Sequence, residues 1–197
     1  VDLVRYGDGE DWPQEADGGG ASLELVKPSA PHDLPGNWAA AMPPTPGAPN
    51  TSASDRLDPF AWDIEISPDR VTSADEVVVS ASVFSEAPLS LVSLRLVVGA
   101  STRDHVLRDD GISPDVTASD GRYAARVEPL PDRTFAKLKV LLTDSLSRVW
   151  EFPRGDDESD YRAWLVYDGD IDGPSPLVWV FLSQAKLDLL AAYAQVR

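Results

Sequence analysis

Along most of the chain apolar and polar residues alternate with a period of two, the pattern of strands with one face buried and the other wet. "AWDIEISP" sets Trp62, Ile64 and Ile66 on one side, and "DEVVVSASVF" does the same with Val77, Val79, Ala81 and Val83. "SLVSLRLVVG" turns Val92, Leu94, Leu96 and Val98 inward and Ser93 and Arg95 outward. "TRDHVLRDDG" leads into a loop, with His105 on a strand. "GRYAARVEPL" aligns Tyr123, Ala125 and Val127, and "FAKLKVLLTDS" aligns Ala136, Leu138, Val140 and Leu142 against an outward Lys137 and Lys139. "SRVWEFP" and the apolar stretch Ala163 to Tyr167 close the set. Turn signals fall between these runs at the spacing of a β-sandwich, which predicts an all-β, immunoglobulin-like sandwich of about seven strands over residues 57–170.

The two ends read differently. At the front, "VDLVRY" and "ASLELV" alternate as strands, separated by the turn signals "GDGEDW" and "ADGGG". Two strands cannot form a stable sandwich alone, so this region is the end of a domain or an edge hairpin leaning on a neighbour. "AMPPTPGAPNTSASDR", residues 41–56, is rich in Pro, Ala, Ser and Gly and predicts a linker, with the junction proper at 51–56. At the far end, an acidic Gly/Pro stretch precedes "LVWVFL", a continuous apolar run of the kind buried on both faces. "SQAKLDLLAAYAQVR" then places Leu187, Leu190, Ala191 and Ala194 at helical spacing with Ser183 as N-cap. A buried strand feeding a helix is how an α/β domain opens, so residues 171–197 read as the start of one.

Composition narrows the function classes. The 17 Lys and Arg against 33 Asp and Glu give a formal charge of −16 and a pI near 4.3. Such a surface repels nucleic-acid phosphates and anionic lipid, both of which are bound through clustered Lys and Arg. The chain has no Cys, which removes disulfides, thiol catalysis and cysteine metal sites together. Its longest apolar run, Leu177 to Leu182, is far too short to span a bilayer, so no membrane insertion is expected.

Both ends also resemble known families. Trp12-Pro13, "ADGGGASLELVKP", "NWAA" at Asn37 to Ala40 and "TPGAPN" at Thr45 to Asn50 occur in the order and spacing of the bacterial lamin-tail domain. The resemblance implies that residues 1–50 are the C-terminal part of that domain, with its front strands lying before Val1. The family fold is itself an immunoglobulin-like sandwich, found in secreted and surface proteins as an adhesive or positioning module. "PLVWVFLSQAKLDLLAA" looks like the opening of the spore-coat CotH kinase-like family. The nucleotide and metal residues of that family would fall past Arg197, so none can be assigned here.

One loop carries candidate chemistry. "RDDGISPDVTASDGRY" gathers Asp109, Asp110, Asp115 and Asp120 within a dozen residues, with Gly111 and Gly121 permitting tight turns. Several carboxylates on an adaptable loop suit a hard cation such as calcium. The spacing does not fit an EF-hand, and Asp-Gly turns alone account for the same residues by turn chemistry. "RGD" at Arg154 to Asp156 sits in an acidic run that reads as a solvated linker. His32 and His105 are the only histidines, and no G-x-S-x-G elbow, H-E-x-x-H motif or phosphate loop accompanies them. The six Trp raise carbohydrate stacking as an option, although their strand positions suit core packing.

The expectation is a non-catalytic spacer or adhesion segment of a secreted or cell-surface bacterial protein, stiffened by calcium at Asp109, Asp110, Asp115 and Asp120. Its partners would be neighbouring domains of the same chain and an unidentified surface or extracellular ligand. The alternative is the accessory region of a CotH-like phosphotransferase whose catalytic residues lie beyond the chain end.

Overall fold

The structure, a computed structural model, describes residues 4, 6, 11–154 and 161–169. The strand and helix expected over 171–197, and most of the first expected strand, lie outside these residues; Val4 and Tyr6 belong to no strand. Among the described residues the chain forms ten strands: β1 (Ser22–Leu25), β2 (Trp38–Ala41), β3 (Phe60–Ser67), β4 (Val77–Phe84), β5 (Leu89–Val98), β6 (Ser101–Val106), β7 (Arg122–Val127), β8 (Phe135–Asp144), β9 (Val149–Phe152) and β10 (Arg162–Leu165). Two single-turn 3₁₀ helices, Gln14–Ala16 and Pro35–Asn37, flank β1. Among the described residues no helix is long and apolar enough to cross a membrane.

All strand pairs are antiparallel, and they make a β1–β2 hairpin and two larger sheets. The smaller sheet runs β3-β4-β7; the larger runs β10-β8-β5-β6, with β9 pairing further along the β8 edge that β10 also uses. The alternation read from sequence is what closes them on each other. Val77, Val79, Ala81, Ala125 and Val127 from the small sheet and Val92, Leu94, Leu96, Leu138, Val140 and Leu142 from the large one are buried in one apolar cluster. The period-two pattern thus puts one face of each sheet against the other and leaves the second face polar. On the wet face of the large sheet Arg95 pairs with Asp104 and Glu151, and Lys139 with Glu151. Exposed pairs of this kind contribute only a few tenths of a kcal/mol, up to about 1, so the apolar layer holds the fold.

Three expectations need correction. Eight strands, not about seven, fall within the described residues of 57–170, because "TRDHV" pairs with β5 as a strand of its own and both β9 and β10 dock on β8. Trp62 does not share a row with Ile64 and Ile66. A bulge between Trp62 and Glu65, with Asp63 at φ 52°, inserts one extra residue; Trp62 then lies opposite Ser82, whereas Ile66 lies opposite Val79 on the other face. The third concerns the Pro-rich segment, expected to pack poorly. It is strapped to β1: Asn50 Nδ2 donates to Leu25 O at 3.0 Å and Ser54 N to Val26 O at 3.0 Å. Buried Glu24 accepts from Thr45 Oγ1, from Thr51 Oγ1 at 3.2 Å and from Ser52 N at 3.4 Å.

The hairpin is also seated on the sandwich. Glu86 accepts from Lys27 Nζ at 2.5 Å and from Leu57 N at 3.3 Å, and Asp63 N donates to Asp11 Oδ2 at 3.2 Å. Hairpin and sandwich also pack tightly at Gly36, where an added Cβ would fall 2.5 Å from Cγ of Phe60. Only glycine fits there. Phe60 in turn packs edge-on against Phe152, with ring centroids 5.1 Å apart, so the hairpin rests on a residue anchored in the core.

Candidate metal centre

The loop between β6 and β7 folds around Asp115. Gly111 and Gly121, at φ 71° and 84°, turn the chain back at either end, a conformation that favours glycine. Asp115 is buried inside the turn, accepting from Gly111 N at 2.5 Å and from Thr117 N at 3.4 Å. Asp109, at the head of the loop, reaches across to its tail and accepts from Asp120 N at 3.2 Å and Gly121 N at 3.0 Å. Asp120 caps its own turn by accepting from Arg122 N at 2.8 Å. These are the local side-chain-to-backbone bonds that make Asp a turn residue.

The folding of the loop brings one ligand atom each of Asp109, Asp115 and Asp120 within 4.8 Å of one another. Asp110 does not join them; its carboxylate accepts from Ile112 N at 2.9 Å, a local turn bond. Three of the four expected carboxylates therefore converge. Among the described residues no Lys or Arg forms an ion pair with any of the three. The nearby Arg122 is spent elsewhere, on Asp63, Glu65, Ser80 and Ser82. Like charges this close repel, and a divalent cation bound by carboxylate oxygens at about 2.3–2.6 Å would relieve that. Backbone carbonyls and water would have to complete the six to eight ligands calcium prefers.

Hydrogen bonds from the backbone, that of Gly111 foremost, hold the Asp115 carboxyl below the usual carboxylate range. Thr45 does the same for Glu24. At Asp144, in the turn between β8 and β9, burial pushes the carboxyl up, but bonds from Arg148 and Leu146 outweigh it and the net shift is downward. A carboxyl depressed in the folded state contributes stability that is full above its unfolded pKa and is lost as pH falls through the folded one. Urea stability should accordingly stay level down to about pH 5 and drop below about pH 4, where unfolded carboxyls protonate. Asp115→Asn should lower the stability at pH 7 and flatten the acid limb. An acid limb identical to wild type would show that Asp115 carries none of it.

The remaining sequence candidates lie elsewhere in the fold, Trp179 falling outside the described residues. His32 Nε2 lies 2.9 Å from Pro28 O within the hairpin, while His105 sits on β6 in the large sheet. Trp12 lies tilted beside Trp38, with ring centroids 6.3 Å apart, and Trp38 Nε1 donates to His32 O at 2.9 Å. Trp62 stacks on Phe60, Trp150 lies under the Arg148 guanidinium and Trp164 is buried in the core. Of the Arg-Gly-Asp stretch only Arg154 is described; the rest lies outside the described residues.

Sequence reasoning gave no structural role to Asp144, named Asn37 only as the first residue of "NWAA", and set Glu24 on the strand face opposite Leu23 and Leu25, yet all three are buried and hydrogen-bonded in the structure. Asp144 carried a signal of its own, as an Asp opening the short turn "DSLSR".

No protein-family model matches the chain, and no curated protein matches it either. Among solved structures, one described as "Crystal structure of Br derivative BhCBM56" is similar over 52% of this chain and 88% of its own, at 13% identity and a TM-score of 0.32.

Proposed function

We propose that this segment is a non-catalytic spacer of a secreted or surface-attached bacterial protein, holding the chain before it and the chain after it at a fixed separation. The observation that carries this reading is the seating of the hairpin on the sandwich, with Gly36 against Phe60 and Glu86 clasping both Lys27 and Leu57. A strap of backbone and side-chain bonds along residues 45–54 removes the slack that the Pro-rich composition would otherwise allow. The lamin-tail resemblance at the front and the CotH-like resemblance at the back support a position between two other modules.

Calcium at Asp109, Asp115 and Asp120 stiffens the module in this reading, because it would tie the two ends of the β6–β7 loop to each other. A ligand that binds only the folded state stabilises it by about 2.7 kcal/mol at a hundred times its Kd. For a chain of this size that corresponds to a rise in Tm of roughly 5–10 °C. Thermal unfolding of the full chain in EDTA and then in millimolar CaCl₂ should show such a rise, and Asp120→Asn, at an exposed position, should abolish most of it. Equal melting temperatures in both buffers would remove calcium from the account and leave the spacer reading standing.

A further inference from the structure

We propose that the outer face of the large sheet is a weak self-association surface, on which a second copy of this chain docks face to face. This stands independently of the spacer reading.

That face is polar across its middle and apolar toward the end where β8 turns into β9. In β5 and β8 the residues between the core positions point outward. The register then lines them up across the sheet. Ser93 lies between Val106 on β6 and Leu141 on β8, and Thr143 lies between Leu91 on β5 and Val149 on β9. Leu91, Val106 and Val149 are 41%, 51% and 51% exposed. Leu141 takes no part in the cluster between the sheets and is nevertheless only 4% exposed among them. Apolar side chains thus cross four strands as one strip. Single exposed apolar residues are ordinary, whereas adjoining ones mark a contact surface.

The charges on the neighbouring rows specify the occupant. Arg95, Lys137 and Lys139 face outward together with Asp104 and Glu151, three cations against two anions on a chain of charge −16. The cations are already engaged. Arg95 pairs with Asp104 at 3.2 Å and Glu151 at 3.4 Å, Lys139 pairs with Glu151 at 3.5 Å, and Lys137 Nζ lies 4.1 Å from the centroid of the Tyr161 ring. An anionic partner would have to break these contacts, and a cationic one gains nothing from a slightly positive face. What fits is a surface as nearly neutral and as apolar as this one, and a second copy supplies it. Packing about a two-fold axis sets strip against strip and turns the acidic remainder of both chains outward. The outer face of the small sheet offers no such strip, because Arg122 lies across it, bonded to Asp63, Glu65, Ser80 and Ser82.

Size sets the strength. Four strands about 4.8 Å apart, each contributing about five residues at about 3.3 Å, present roughly 300 Å² in projection. Stable dimers bury about 800 Å² per partner, so this contact forms in the range of about 0.1–1 mM. Salt should strengthen it, since screening weakens the repulsion between two acidic chains and leaves the apolar contact intact.

Sedimentation equilibrium of the full chain, 21.3 kDa as a monomer, is the test. The weight-average mass should climb toward the dimer value as concentration rises to about 1 mM, and further in about 0.5 M than in about 0.05 M NaCl. Leu91→Lys and Val149→Lys each reduce the net charge, which eases repulsion, yet each should weaken association about tenfold or more. Val116→Lys makes the same charge change on the β6–β7 loop, at a position 89% exposed, and should not weaken it. Melting temperatures matching wild type would show that the variants lose association rather than fold. A chain that stays monomeric at about 1 mM in high salt, association that falls as salt rises, or association lost in Val116→Lys and kept in Leu91→Lys would each overturn the proposal.

Discussion

Leu138→Ala is expected to lower the unfolding free energy by about 2–5 kcal/mol, the range for deleting a buried leucine and leaving a cavity. Leu138 is 1% exposed, in the central strand of the large sheet, between Leu96 on β5 and Arg162 on β10. Its neighbours inside the core are Val, Leu and Ala held by two sheets, so little can move in to refill the space. Urea unfolding should show a lower midpoint with an unchanged slope. An outer-face control, Lys139→Ala, removes a partly exposed ion pair with Glu151 and should change stability by about 1 kcal/mol or less. Equal effects of the two would mean that the apolar layer between the sheets is not what holds the fold.

Asn37→Ala should cost about 2–4 kcal/mol, as three hydrogen bonds from a buried side chain to partly buried backbone groups are lost at roughly 0.5–1.5 kcal/mol each. Asn37 is wholly buried at the turn into β2. Its Oδ1 accepts from Lys27 N at 2.8 Å, and its Nδ2 donates to Lys27 O at 3.0 Å and Pro31 O at 3.1 Å. One amide therefore ties the loop between the hairpin strands to the end of β1. Asn37→Asp separates hydrogen bonding from packing, since the shape is kept while a donor becomes an acceptor facing two carbonyls. It should be at least as damaging as the alanine. A stable, wild-type-like Asn37→Asp variant would show that the amide bonds contribute little.

How much of this was legible in the sequence follows from what kind of force holds each part. The inward rows of β4, β5, β7 and β8 were readable because burial repeats with the pleat, residue by residue. The phase slip at Trp62 was not, because a bulge is one inserted residue held at φ 52° by its surroundings and leaves no compositional mark. The Pro-rich segment misled for a related reason. Composition reports the backbone's tendency to stay extended, while the bonds that strap it down are made by Glu24 and Leu25, about twenty to thirty residues earlier. In the Asp loop, closeness in sequence located three carboxylates that converge, but Asp110 points to its own turn, which spacing alone cannot resolve. The apolar strip on the outer face of the large sheet was hidden most completely, since which residues stand side by side there is a property of strand order.

The central claim is that hairpin and sandwich move as one body, and the chain's lack of cysteine makes this directly measurable. Nitroxide labels at Ser29→Cys, on the hairpin loop, and Ser145→Cys, in the β8–β9 turn, are both at exposed positions. Electron–electron resonance between them should give a single narrow distance distribution. Gly36→Ala, which forces a methyl group onto Phe60, should broaden it. A broad distribution in the otherwise unaltered chain, insensitive to Gly36, would describe two units on a loose tether and would contradict the spacer account.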